Sequence, residues 1–173
     1  MPHAEAKSAA AGEGKEDSKY GAKSCHDEDD VDDGAKGGGR GPRLELLAVE
    51  CGPSDCPVTD GLELSMDFDL DEPLPWGRWE VKFVVDSVSA RHIVRLGTTE
   101  PEDYMTGRSS MYFKVAQVDV SGIKPCVLAN AGLLTANLLS KDGDEVAAVN
   151  LVVLVHDRGT PSGLVRTVYS PLE

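Results

Sequence analysis

From Leu44 onward the chain is patterned in twos. Within residues 62–70, Leu62, Leu64, Met66, Phe68 and Leu70 share one side, and Glu63, Ser65, Asp67 and Asp69 share the other. Side chains of a strand alternate between faces, so this spacing predicts a strand with one buried face and one wet, acidic face. Residues 78–86 repeat the pattern, with Trp79, Val81, Phe83 and Val85 inward and Arg78, Glu80 and Lys82 outward. Paired side by side, the two strands would set Arg78 and Lys82 near the acids Glu63, Asp67 and Asp69, a favourable cross-strand arrangement. Between them DEPLPWG (71–77) predicts a turn, because Pro73 and Pro75 cannot donate to a ladder.

Shorter segments follow the same rule. LELLAVE (44–50) is a short apolar strand, and CGPSDCPVTDG (51–61) is a loop of turn formers. RHIVRLG (91–97) and MYFKVAQVDV (111–120) are strands on either side of a polar loop, 98–110. SGIKPCVLANAG (121–132), broken by Gly122 and Pro125, has room for one helical turn. LLTANLLS (133–140), KDGDE (141–145) and VAAVNLVVLVH (146–156) form a hairpin. Its second arm is apolar on both faces, which predicts a central position between other strands. After the loop 157–163, LVRTVYS (164–170) is the last strand. About eight strands with regular turns and no sustained helical period predict an all-β domain over 44–173. An immunoglobulin-like β-sandwich fits that count, although the Cys…Trp…Cys spacing of a true immunoglobulin domain is absent.

Residues 1–43 have another character. They hold 10 acids, 7 bases and almost no large apolar residue, which predicts a disordered, acidic and glycine-rich tail. His26 beside Asp27, Glu28, Asp29, Asp30, Asp32 and Asp33 is read as part of a solvated run. Over the whole chain 30 acids stand against 17 bases, a net charge of −13, and most of the excess falls in 44–173. That balance repels phosphate backbones and anionic membranes, and it suits a basic protein as partner. No run approaches the ~18 apolar residues of a membrane span. No apolar signal-peptide core precedes the domain, so an intracellular setting is expected, in the cytoplasm with the cilium or flagellum included, or alternatively in the nucleus. There the four cysteines, Cys25, Cys51, Cys56 and Cys126, are expected as free thiols. Cys51 and Cys56 lack the second pair or histidine of a zinc site, and neither metal nor cofactor is expected.

The sequence is poor in catalytic signals. His92 and His156 are the domain's two histidines, and nothing local sets either beside Cys126 or a carboxylate. The G-x-S-x-G elbow and the phosphate-binding G-x-x-x-x-G-K-[ST] loop are absent. The reading is therefore a non-enzymatic protein-interaction module. Three features offer binding residues. One is the acidic outer face with its turn, Asp67, Asp69, Asp71 and Glu72. Another is Trp76, which falls outside the alternation that carries Trp79. The last is 133–139, where Leu133, Thr135 and Asn137 alternate with Leu134, Ala136 and Leu138. At a sheet edge that segment would accept an added strand, and inside the sandwich it would be buried.

The pieces LELLAVE, GPSDCPVTD, LELSMDFDLDEPL and GRWEVKFVVDS occur in that order, followed by SGIKPCVLANAGLLTANLLS and the turn KDGDE. Over about residues 44–156 this order resembles the anti-silencing-function family of histone chaperones. That family runs from a strand and proline-bearing loop through an aromatic–acidic strand and acidic turn to a Leu-Glu-Trp-Lys strand. An Ile-Pro turn, short helix and apolar strand come later. The resemblance implies the immunoglobulin-like fold and histone binding through a strand that maps to Leu134, Thr135, Ala136 and Asn137. This chain departs where ARHIVRLGTTEPEDYMTGRSS replaces the family's Asp-Gln-x-x-Asp-Ser segment, and where LVRTVYSPLE replaces its Val-Gly-Tyr-Tyr-Val ending. VDVSGIKP and VYSPLE are also similar to small proteins of flagellated eukaryotes, and the architecture is shared with lipid-binding sandwiches of ciliary cargo transport. Three functions follow: an adaptor or assembly factor in a larger intracellular complex, a histone chaperone, or a carrier of lipidated cargo with a pocket between its sheets.

Overall fold

The computed structural model describes residues 41–86, 91–159 and 163–172, so the expected tail lies outside the described residues up to position 40. The fold is almost entirely β, in two sheets. Ten strands occur in chain order: β1 (Leu44–Gly52), β2 (Cys56–Pro57), β3 (Asp60–Leu70), β4 (Leu74–Asp86), β5 (Arg91–Thr98), β6 (Glu102–Tyr104), β7 (Gly107–Gln117), β8 (Ala131–Leu139), β9 (Glu145–Asp157) and β10 (Leu164–Tyr169). One helical turn, α1 (Pro125–Leu128), sits where Pro125 opens it at its first position. The small sheet runs β1-β3-β7. The large one runs β2-β10-β9-β8-β4-β5, with β6 added beside β4.

The alternating pattern buries what it promised. Leu62, Leu64, Met66, Phe68 and Leu70 from β3 are buried, as are Trp79, Val81, Phe83 and Val85 from β4. They meet between the sheets in one cluster, which Leu134, Ala136 and Leu138 of β8 and Val149, Leu151, Val153 and Val155 of β9 complete. Phe68 is the hinge of its aromatic part. Its ring centroid lies 5.3 Å from Trp79 and 5.5 Å from Tyr104, both edge-on. Such edge-to-face pairs add about 0.5–1.5 kcal/mol beyond area burial. The sheets also touch where Gly97 of β5 faces Phe113 of β7, since a Cβ there would sit 3.1 Å from the ring.

Three expectations are corrected. First, β3 and β4 do not pair, because the short turn between them carries the chain from one sheet to the other. The acids of β3 find their cations on β7 instead, in Glu63–Lys114 at 2.6 Å and Asp67–Arg108 at 2.8 Å, while Lys82 bonds Glu80 on its own strand. Second, of the two places open to the segment 133–139 the inner one holds and the edge does not: β8 pairs with β4 on one side and β9 on the other. Third, the polar stretch 98–110 contributes β6 and the start of β7, and the expected turn 71–77 already belongs in part to β4. There β6 offers Leu74 and Gly77 a partner the hydrophobic pattern did not announce. The hairpin β8–β9, the central place of β9 and the helical turn stand as read.

One buried charge had no part in the sequence reading. Arg166 of β10 is 2% exposed. Its Nη1 donates to the carbonyls of Val58 (3.1 Å) and Asp60 (2.8 Å), and its Nη2 donates to that of Gly61. The guanidinium thus ties β10 to the passage from β2 into β3. A backbone bond from Val58 N–H to the Leu164 carbonyl (3.0 Å) reinforces the seam.

Candidate interaction surface

Strand register sets the outer face of the large sheet. Val84 lies opposite Ile93 on one side and Leu133 on the other. Leu133 lies opposite Val152, and Val152 opposite Tyr169. These five residues form one row across β5, β4, β8, β9 and β10. Val84 is half-buried, while Ile93 is 56%, Leu133 41%, Val152 46% and Tyr169 47% exposed. Scattered apolar residues are normal on a surface, whereas a contiguous set marks a contact site. The next row in one direction is polar throughout: Arg95, Lys82, Thr135 and Asn150. In the other direction only Ala131 and Leu154 continue the apolar ground, with the opposed positions Asp86 and Arg91 at one end of that row and Thr167 at the other. Beyond them His156 accepts from Arg158 Nε at 2.9 Å, and Asp55 binds both Arg158 (2.7 Å) and the Thr167 hydroxyl (2.9 Å).

The residues singled out from sequence separate into distinct places. Leu133 stands in the middle of the apolar row. Thr135 lies half-buried in the polar row beside it. Asn137 is buried although it points to the same side, because its amide donates to the Glu145 carboxylate across the β8–β9 bulge. Leu134, Ala136 and Leu138 face the core. Asp67 and Asp69 belong to the small sheet's outer face, on the far side of the core. Asp67 is paired with Arg108, and Asp69 stands between Glu45 of β1 and Arg108 of β7 in the ladder. Asp71 accepts from the Arg43 amide at 2.6 Å, and Glu72 is exposed.

Trp76 projects from the end of β4 and is 57% exposed. Its φ of 57° lies in the left-handed region, which bulky side chains rarely adopt. Two features hold it there: its N–H donates to Asp103 Oδ1 at 2.8 Å, and the β4–β6 ladder is irregular between Leu74 and Gly77. Gly77 must lack a Cβ, which would come within 2.9 Å of the Leu74 and Tyr104 side chains.

Burial pushes the Cys51 thiol up to about 11, against a smaller lowering by the Arg166 charge. Burial likewise raises Cys56, with the same opposing effect of Arg166. The Tyr104 phenol is raised by burial and by the Glu102 charge; the Trp79 indole offsets this in part without closing a well-formed hydrogen bond. Hydrogen bonding and charge within the Glu63–Lys114 pair lower the one and raise the other. No group of three or more metal-ligating side chains occurs among the described residues. The space between the sheets lined by Val58, Leu62, Phe83, Leu96, Val118, Leu134, Val153 and Arg166 measures about 10 Å³. An acyl or prenyl group needs a pocket of roughly 300 Å³ or more.

Sequence reasoning passed over Val84, Ile93, Val152 and Tyr169. Two signals were there: Val84 breaks the outward polar set Arg78, Glu80, Lys82, and β9 carries apolar residues on its outer face as well as its inner one. No known protein family matches the chain, and no curated protein matches it.

Proposed function

We propose that this domain is a non-enzymatic protein-interaction module, an adaptor or assembly factor of a larger intracellular complex, that docks through the outer face of its large sheet. The two sheets are read as a β-sandwich of immunoglobulin-like type, which serves as a rigid support for that face. One observation carries the reading: five strands in register present Ile93, Val84, Leu133, Val152 and Tyr169 as a continuous apolar row. A row of this kind excludes water most effectively under a flat partner surface, with the polar row of Arg95, Lys82, Thr135 and Asn150 as its rim. The test replaces Leu133 and Val152 by aspartate together. Both side chains are exposed, so circular dichroism should be unchanged. Affinity capture from cell extract should retain a partner on the natural chain and lose it on the double variant. Equal retention by both chains, or none by either, overturns the reading.

A second reading, the histone chaperone, draws on the opposite side of the molecule. Glu45 and Asp69 lie directly across from one another on the small sheet, a like-charge pair that a basic partner would relieve. Failure to bind a core histone dimer at physiological salt removes it. With about 10 Å³ between the sheets, the lipid-carrier reading finds no support and is not carried into the proposal.

A further inference from the structure

The apolar row has two flanks, and they differ in charge. On one, Arg91 lies opposite Asp86 in the ladder and is engaged already. On the other, Arg95 stands directly across from Lys82. Like charges so placed repel. Lys82 is relieved by Glu80, whose Oε2 lies 2.7 Å from its Nζ. Arg95 is exposed and makes no hydrogen bond or ion pair among the described residues. Residues 44–173 hold twice as many acids as bases, yet this arginine sits beside another cation and apart from every carboxylate. The flank then turns neutral, with Thr135 on β8 and Asn150 on β9. Its unmatched charge is therefore confined to the β5 end of the row, beside Ile93 on the same side of the strand.

That placement decides what the face takes. The chain as a whole is acidic and invites a basic partner, whereas this face asks for the opposite. A second copy of the same face does not supply it, because the rows of Ile93 and Arg95 hold no acid. One free arginine does not hold a nucleic acid or an anionic membrane against the field of a chain with a net charge of −13. A carboxylate carried by a protein segment meets both demands, since apolar neighbours on that segment cover the row.

We propose that the docking face takes an acidic protein segment, which lays apolar side chains along Ile93, Leu133 and Val152 and sets an aspartate or glutamate against Arg95. The guanidinium is a planar fork that donates two parallel hydrogen bonds to one carboxylate. Because the cation stands at one end of the row, it also fixes the direction of the segment, with the acidic end over β5 and the rest toward β9. This rests on the docking reading above and specifies the partner's chemistry. Apolar contact supplies most of the affinity, and Arg95 supplies the choice among partners.

The experiment uses the full chain as bait for a phage library of random peptides of about twelve residues, ample to span a row of four strand spacings, roughly 19 Å. Peptides held by the natural chain and lost on the Leu133→Asp, Val152→Asp variant are expected to carry a clear excess of acids over bases beside their apolar residues. Selection on Arg95→Glu should turn toward lysine and arginine. One such acidic peptide, synthesised with a dye and followed by anisotropy, should bind Arg95→Glu about ten-fold more weakly and weaken further as salt rises from about 50 to 300 mM. Arg95→Gln should fall between the two and keeps the test valid should the charge reversal disturb the fold. Peptides without an excess of acid, an unchanged selection on Arg95→Glu, or equal affinity for the natural chain and that variant each overturns the proposal. Binding of the natural chain to vesicles of phosphatidylcholine and phosphatidylserine, lost in Arg95→Glu, assigns the face to a membrane and overturns it too. If the selected peptides depend on Leu133 and Val152 but show no preference for acid, only this inference falls. If the natural chain selects none, or the double aspartate variant holds the same ones, the docking reading falls with it.

Discussion

Arg166 should be worth far more to the domain than any surface ion pair. It is a buried cation that makes no salt bridge among the described residues; its two terminal nitrogens donate to three backbone carbonyls, those of Val58, Asp60 and Gly61, while its Nε has no partner there. Hydrogen bonds from a charged donor contribute about 1.5–3 kcal/mol each, and the desolvation of the guanidinium offsets part of the sum. Arg166→Met removes the charge and its donors together and keeps only the apolar stem of the side chain. It leaves the turn between β2 and β3 without its tie and three carbonyls without their donor. The expected loss is about 3–5 kcal/mol: three carbonyls left unpaired at roughly 1–3 kcal/mol each, less the desolvation cost that the guanidinium no longer carries. For a domain of this size that lowers Tm by on the order of 10–20 °C. Arg166→Lys keeps the charge but replaces a planar fork by one compact ammonium, so its loss should be intermediate. Urea unfolding followed by far-ultraviolet circular dichroism measures all three chains. A loss under about 1 kcal/mol for Arg166→Met refutes the reasoning, because the carbonyls would then need no donor.

Other expectations can be checked with the same material. Trp79→Ala should cost about 3–5 kcal/mol in urea unfolding, since the ring is fully buried against Phe68. Trp76→Gly should raise stability by about 1 kcal/mol by relieving the left-handed backbone, whereas Trp76→Ala should not. Acrylamide should quench the fluorescence of Trp76 and spare that of Trp79, as their exposures require. At pH 8 an alkylating reagent should modify exposed Cys126 quickly and Cys51 only on unfolding, read peptide by peptide in a mass spectrometer. Cys51 is held neutral by burial, from 9.0 when exposed to about 11 in the fold, so its contribution to stability is whole below pH 9 and is lost as pH rises toward 11. A melting temperature that stays flat across that window would count against it.

Alternation made the inner faces of β3 and β4 legible, because burial on one side of a strand leaves its period in the sequence, whereas 133–139 and 146–156 carry apolar residues on both sides. Which strands would be neighbours was not legible. The turn at 71–73 changes sheets, and nothing in Pro73 or Pro75 distinguishes that from a hairpin. The apolar row was hidden for a related reason. Leu133 was a binding candidate by itself, but only the register of β4, β8 and β9 brings Val84, Leu133 and Val152 side by side on the outside. Arg166 was invisible because its partners are carbonyls, which every residue has. Trp76 was separable from Trp79 by phase alone, and the structure adds the Asp103 carboxylate and the β4–β6 irregularity that fix it.

The seam between β2 and β10 bears on how the protein is made. Residues 56–61 come early in synthesis and β10 more than a hundred residues later, yet each needs the other. While the ribosome is still adding β9, the large sheet has a bare flank and the carbonyls of Val58, Asp60 and Gly61 have no donor. Pairings so distant in sequence form late and slowly. The nascent domain should stay sensitive to protease up to Asp157 and become resistant only once Arg166 has emerged. Chains stalled on either side of β10 would reveal that step, and equal resistance before and after it would show that the seam is not what closes the fold.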